Sequence, residues 1–422
     1  MQADDLLPRE IAEIEEESDP LLAATIDFEE VARHLDLEDW IVARLRHSER
    51  EITLNLSVLR DNGGPATVGA MRVQHFTGGQ PSLGPVQWSC AAQPQRLRAE
   101  AMEHTWQSAL LQLPLGGAAG AIWLDPAPLS ERELRELARA FAQGLRGVNG
   151  ARSDVLAPGS GCNEQTMAWM LDSHAHPEPH WRAAAVGKPR TLWGIPGYYT
   201  ATARGISWLL GQILAPIDGR RISIQGFGSI GSALAHQLDQ AGARLVAAAD
   251  VSGGLYNLNG LDVDGLEKHV QQQGVLFGYP PADAVRNTDV LEMECDVVVL
   301  AAAERQVTVT NTGRIRAPLV IEATRNAITR AAEQALIARG ITVIPHPIAT
   351  AGAALASYAE WSWNVYSELT TPPDLPEIIA THMRRLWDAV SSAAREHNTS
   401  LRQAALLLAA RRIAAQMRLT RG

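Results

Sequence analysis

The chain has 422 residues, 46% hydrophobic and 20% charged, with a formal net charge of −10. That is ample material for two substantial cores, and no run of about 18 apolar residues is present to form a transmembrane helix. There is neither a basic stripe nor an aromatic–basic interleave to suggest nucleic acid, and three scattered cysteines (Cys90, Cys162, Cys295) suggest reduced thiols and a cytoplasmic setting.

Residues 1–27 read as an acidic tail. The first twenty hold eight acids and one base, and Met1-Gln-Ala-Asp-Asp lacks the apolar segment of a secretory signal. From Phe28 to Arg46 apolar residues recur at helical spacing (Val31, Leu35, Ile41, Val42, Leu45), predicting one helix. Glu51 to Val58 alternates at period two, a half-buried strand closed by the turn Asp61-Asn-Gly-Gly-Pro; 66–76 and 84–90 read as further strands. Ser130 and Glu133 stand at capping-box spacing and open a helix running to Arg146. Residues 172–198, rich in His, Pro, Gly and Trp, read as an interdomain connection. Its stretch His174-Ala-His-Pro-Glu-Pro-His180 offers three imidazoles and a carboxylate, but two prolines in a connector fit a solvated loop, and no metal site is expected.

From Asp218 the texture changes. Short apolar runs without polar alternation (221–225, 243–249, 295–300, 318–322, 341–344) are separated mostly by helical stretches. Strands buried on both faces and joined by helices predict a parallel, doubly wound sheet, so the fold class is α/β with two domains. From Ser357 the chain is helical again, ending in an amphipathic helix that begins near Asn398-Thr-Ser.

Gly226-Phe227-Gly228-Ser229-Ile230-Gly231 follows the strand 221–225 and opens a helix. Gly226 suits a tight turn, Gly228 lets backbone approach a pyrophosphate, and Gly231 suits close helix–strand packing; the helix N-terminus then faces the phosphates. Asp250 closes the next strand, where a carboxylate can accept from the adenosine ribose. Together these predict a dinucleotide site, with a Rossmann-shaped domain that no longer binds nucleotide as the alternative.

Several motifs are collinear with one family. Arg72-Val-Gln-His, His104-Thr-Trp-Gln-Ser-Ala, Leu113-Pro-Leu-Gly-Gly-Ala-Ala-Gly-Ala, Asp154-Val-Leu-Ala-Pro with Met167-Ala-Trp-Met, Gly187-Lys-Pro, Ala201-Thr-Ala-Arg-Gly and Ser357-Tyr-Ala-Glu-Trp together resemble the glutamate/leucine/phenylalanine/valine dehydrogenases, from about residue 28 to Gly422. The resemblance implies a discontinuous substrate and oligomerisation domain (28–200, completed by 357–422) and a Rossmann domain (201–356). It adds Thr202, Ala301 and Ala302 to the cofactor positions, and implies NAD as cofactor, with NADP disfavoured by Asp250.

The reaction of that family needs cations to hold a substrate carboxylate, a lysine of lowered pKa and a proton-moving carboxylate. At the positions where the resemblance places the lysines, this chain has Leu83, Gln107 and Ala119, and at the aspartate position Gly159; only the hydroxyl of Ser357 matches. No catalytic residue is therefore assigned. The cofactor cleft departs too, with Arg305, Arg325 and Thr350 where the family has asparagines. The two arginines would either crowd a nicotinamide or bind a more phosphorylated ligand. Eleven tryptophans are unusual beside five phenylalanines, and Trp88, Trp106, Trp123 and Trp193 flank the old substrate segments, as packing residues or as the lining of an apolar pocket for another ligand.

The leading expectation is a homologue without amino-acid oxidation, acting as a nucleotide-binding or regulatory protein. It would be a homo-oligomer or a hetero-oligomer with an active dehydrogenase paralogue, with no nucleic acid or membrane partner. The alternatives are an active NAD(P)-dependent oxidoreductase on a different substrate and a ligand-sensing module without nucleotide.

Overall fold

The computed structural model describes residues 19–173, 180–366 and 371–420. Two compact units organise the chain. One comprises Ser18–Tyr198, Ala354–Ile378 and Leu406–Gly422; the other contains Tyr199–Ala353 and Ile379–Ala405.

In the first, α1 (Pro20–His34) and α2 (Asp39–Leu45) precede β1 (Arg50–Leu59), β2 (Pro65–Gln74), β3 (Ser82–Trp88), α3 (Pro94–Leu110), β4 (Gly116–Ile122), α4 (Glu131–Gly144), β5 (Asp154–Pro158) and α5 (Glu164–Asp172). The single helix expected from Phe28 is two helices, and the first begins inside the expected tail. Asp19 caps it by accepting from the amides of Leu21 and Leu22, Pro20 opens the first turn, and Asp36, at φ 48°, lies between the two. The strands form one mixed sheet in the order β1-β2-β4-β3-β5. β1 and β2 are a hairpin about the expected turn, and β3 runs parallel to both β4 and β5.

Leu137 and Phe141 of α4 and Leu145, which follows it, pack with Ile122 and Leu156 in one core cluster. Met71, Val73, Ala119 and Ala121 pack with Leu97 and Ala101 of α3 in another. The capping box predicted at Ser130 and Glu133 is present. Within the sheet Arg72 is fully buried. It donates to both carboxylate oxygens of Asp154, at 2.7 and 2.9 Å, and to the carbonyls of Gly84, Pro85 and Val155, so a single guanidinium fastens β2, β3 and β5. A second buried pair joins Lys188 Nζ to Glu360 Oε1 at 2.7 Å, with the amide of Ile195 on the other carboxylate oxygen. Most of the histidine-rich stretch, 174–179, lies outside the described residues.

The second unit holds α6 (Ala201–Ile213), β6 (Arg221–Gln225), α7 (Ser229–Gln240), β7 (Arg244–Asp250), β8 (Gly253–Tyr256), α8 (Val263–Gln273), β9 (Asp283–Val285), β10 (Val297–Leu300), β11 (Leu319–Glu322), α9 (Arg330–Ala338), β12 (Thr342–Ile344) and α10 (His346–Ala349). The sheet runs β12-β11-β10-β6-β7-β8-β9. The five strands read from the sequence are parallel. β8 and β9, which lack the long apolar runs of the others, extend the edge antiparallel. The chain closes with α11 (Ala351–Tyr366), α12 (Leu375–Glu396) and α13 (Leu401–Thr420). The sequence reading gave 357–422 entirely to the first domain, whereas Ile379–Ala405 clusters with the parallel sheet. Arg402 shows why: it pairs with Glu322 at the end of β11 and with Glu333 of α9.

Candidate functional site

In a doubly wound sheet, ligands lie beyond the carboxyl ends of the strands, where the strand order reverses. Here that point is β6, flanked by β7 on one side and β10 on the other. The glycine loop leaves the end of β6 and leads into α7. At Gly226, φ 99°, a Cβ would sit 2.4 Å from the carbonyl of Ala301, so the loop runs against the segment following β10. At Gly231 a Cβ would meet the carbonyl oxygen of Gly226 at 1.8 Å, which fixes the close approach of α7 to the turn. Gly228 differs: no atom lies within 4 Å of its Cβ position and its φ is −83°, so the fold itself does not require glycine there. Open space over an exposed backbone at a helix N-terminus is what a pyrophosphate needs. Ser229 is exposed, Ile230 is half-buried, and Phe227 is packed inward.

Asp250 ends β7 as expected, but its carboxylate already has partners. The amide of Leu276 donates to Oδ2 at 2.8 Å, and the amide of Ser252 to Oδ1 at 2.7 Å, with the Ser252 hydroxyl on the same oxygen. A ribose hydroxyl would therefore join or displace these donors. On the other side Ala301 is half-buried and Ala302 exposed, while Thr202 is buried in α6. Arg305 is exposed at φ 56° and its amide donates to the carbonyl of Asn326, φ 52°, joining the loops that carry Arg305 and Arg325.

Two residues of this edge were missed. Gln225, fully buried, donates through Nε2 to Asn287 and Gln306, both at 2.8 Å, and so ties together the loops that follow β9 and β10. Glu322, also fully buried, accepts from the amides of Ile328 and His346 and pairs with Arg402; burial raises its pKa. The available signal was a polar residue closing an apolar parallel strand, since such a group must have partners.

The positions of the expected substrate pocket divide differently. Leu83 of β3 and Ala119 of β4 lie on neighbouring strands, and Gly159 directly follows β5 on the other side of β3. α3 brings Gln107, buried, to the same sheet, two residues beyond Thr105, whose amide lies 2.2 Å from a Cβ built at Gly117. Ala119 is fully buried in the apolar cluster with Met71, Val73, Leu97 and Ala101. At Gly159 a Cβ would meet the carbonyl oxygen of Val86 at 2.7 Å and the Cβ of Pro85 at 3.1 Å, so the present backbone leaves no room for a side chain. Ser357 is held on α11, its hydroxyl 2.7 Å from the Tyr198 hydroxyl. The four tryptophans pack: Trp106 stacks on Phe28 at 5.1 Å, Trp193 lies 5.3 Å from Trp363, Trp123 covers Gly69, and Trp88 is buried in the core.

Among the described residues no group of three or more His, Cys, Asp or Glu is placed to hold a metal ion, and no helix is long and apolar enough to cross a membrane. Residues 48–176 match the family Glu/Leu/Phe/Val dehydrogenase, dimerisation domain, and residues 194–421 match the family Glutamate/Leucine/Phenylalanine/Valine dehydrogenase. The sequence is 32% identical to glutamate dehydrogenase B of Halobacterium salinarum over 90% of both chains. The fold superposes on the leucine-bound hetero-hexameric glutamate dehydrogenase of Thermus thermophilus with a TM-score of 0.88, at 30% identity, over 95% of this chain and 97% of that one. It superposes on the glutamate dehydrogenase of Peptoniphilus asaccharolyticus with a TM-score of 0.80, at 28% identity, over 95% and 99%. The chain belongs to the glutamate/leucine/phenylalanine/valine dehydrogenase family.

Proposed function

We propose that this chain is a non-catalytic, regulatory member of its family, assembling with an active dehydrogenase paralogue and carrying a nucleotide site at the β6 end of its parallel sheet. The observation that carries the reading is the neutral set Leu83, Gln107, Ala119 and Gly159, together with its packing. None of the four can carry charge near neutral pH, and Ala119 and Gly159 sit where the fold has closed around a small residue or none. A buried carboxylate without its lysines would be unpaired and costly, so loss of the set together is physically coherent.

Assembly with a paralogue is supported by the description of the Thermus thermophilus neighbour as a hetero-hexamer. The glycine loop fits the pyrophosphate of a nicotinamide dinucleotide. Asp250 would repel a 2′-phosphate, which favours NAD over NADP, although its present donors must be shared or exchanged for the ribose. When bound, such a group would supply hydride chemistry; here no group of the neutral set can pair as a cation with a substrate carboxylate or move a proton.

The test is co-expression with the active paralogue of the same host. Co-purification, with a paralogue rate that changes when this chain is added, supports the reading. No co-purification and an unchanged rate would refute it.

A further inference from the structure

A relay of side-chain amides crosses the carboxyl edge of the parallel sheet. At the β7 end, Nδ2 of Asn287 donates to the carbonyl of Asp250. Asn287 Oδ1 accepts from Gln225 Nε2 at 2.8 Å, and the same nitrogen donates to Gln306 Oε1, also at 2.8 Å. Gln306 Nε2 in turn donates to the carbonyl of Glu304 at 2.9 Å, and Asn311 Nδ2 holds the Gln306 carbonyl at 2.8 Å. The relay therefore runs from the residue that ends β7, past the end of β6, to the loop after β10.

Its direction is dictated at both ends. A backbone carbonyl can only accept, so Asn287 and Gln306 must turn their nitrogens to Asp250 and Glu304 and their oxygens to Gln225. Gln225 must then present its nitrogen to both, which uses both N–H bonds of its amide. Its oxygen is left buried with no hydrogen-bond partner among the described residues. A buried acceptor without a donor lowers stability, and Asn287 and Gln306, both half-buried, could each take water in place of Gln225. An apolar side chain of similar size would fill the space without that penalty. The relay is thus a poor device for stabilising the fold and a good one for spacing: it sets how far the Asp250 end stands from the loop after β10.

We propose that Gln225 is a positioning residue of the nucleotide site, holding its two ends at the spacing a dinucleotide needs. The proposal rests on the reading that the glycine loop holds a nucleotide. ADP would reach only Asp250 and the glycine loop. A dinucleotide extends further, toward Ala301 and Ala302, which abut Gly226, and toward the loop that Gln306 anchors. Asn287 keeps its bond to the Asp250 carbonyl whether or not Gln225 is present. Cutting the relay at Gln225 therefore releases the loop after β10 and leaves the ADP part of the site in place.

Calorimetry on the purified full chain, with NAD and with ADP, tests this. Gln225→Leu should keep the native melting temperature and bind ADP within about twofold of the native chain, while NAD weakens by about tenfold or more. Gln225→Glu supplies a readout that filling space would not move. Ionised, its carboxylate faces two oxygens whose orientation is fixed, and NAD should weaken at least as much; protonated, it regains one donor. Its NAD affinity relative to the native chain should therefore rise as the pH falls from about 8.5 to about 5.5, and that of Gln225→Leu should not. A native chain that binds neither NAD nor ADP would overturn the nucleotide reading and this proposal together. If the native chain binds both, three results would overturn the role of Gln225 and leave the nucleotide reading standing: NAD undiminished in Gln225→Leu, NAD and ADP weakened alike, or a Gln225→Glu affinity that is flat with pH.

Discussion

The Cβ position of Gly159 lies 2.7 Å from the carbonyl oxygen of Val86, closer than real side chains approach a backbone oxygen. The strand end has therefore settled into a conformation that excludes a side chain at the point where the family resemblance places an acid. Gly159→Asp should lower stability by about 1–3 kcal/mol, and Ala119→Lys, which puts an ammonium among Met71, Val73 and Leu97, should cost at least as much. Neither change, alone or with Leu83→Lys and Gln107→Lys, should restore glutamate oxidation. Thermal melts and a coupled activity assay check this; a stable, active revertant would contradict it.

The open space at Gly228 separates folding from binding. Gly228→Ala should leave the melting temperature unchanged while weakening NAD by tenfold or more, because the added methyl meets only the ligand. Gly231→Ala, which would meet the Gly226 carbonyl oxygen at 1.8 Å, should instead destabilise the fold. Undiminished NAD binding by folded Gly228→Ala would remove the glycine loop from the nucleotide site.

Cofactor preference turns on Asp250. Calorimetry should find NAD tighter than NADP, and Asp250→Asn should narrow the difference. A preference for NADP in the native chain would shift attention to Arg305 and Arg325.

His75 gives the mixed-sheet unit an acid-sensitive point. Its pKa in the fold is about 4, against an ordinary 6.5, so the unfolded chain binds more protons between those values. The neutral ring's contribution is therefore complete above pH 6.5 and falls away as the pH drops toward 4. At pH 5 the loss due to His75 should be about 2 kcal/mol relative to pH 7.5. Chemical denaturation of the native chain and of His75→Gln at both pH values checks it: the difference between the two proteins should shrink by that amount, and a constant difference would refute it.

Much of this architecture was legible because its signals are local. The apolar runs at 221–225 and 297–300 and the glycines at 226, 228 and 231 encode strand, turn and helix within a few residues. What could not be read depends on distant contacts. The start of α1 at Pro20 rests on Asp19, whose acidity made it look like part of the tail. The partners of Asp250 come from Leu276, 26 residues away, and the allegiance of Arg402 to β11 spans 80 residues. The neutral set was identifiable one position at a time; that Ala119 is sealed in a core and Gly159 crowded by Val86 required the sheet.

The proposal that this chain does not oxidise amino acids is tested most directly by steady-state assay of the purified chain. With glutamate, leucine, phenylalanine or valine and either nicotinamide cofactor, no turnover above background is expected. One electrostatic donor alone can contribute about 100-fold or more, and the resemblance implies several such groups at the positions where this chain has Leu83, Gln107, Ala119 and Gly159. A turnover near one per second, on the order of ordinary enzymes, with any of the four substrates would contradict the claim.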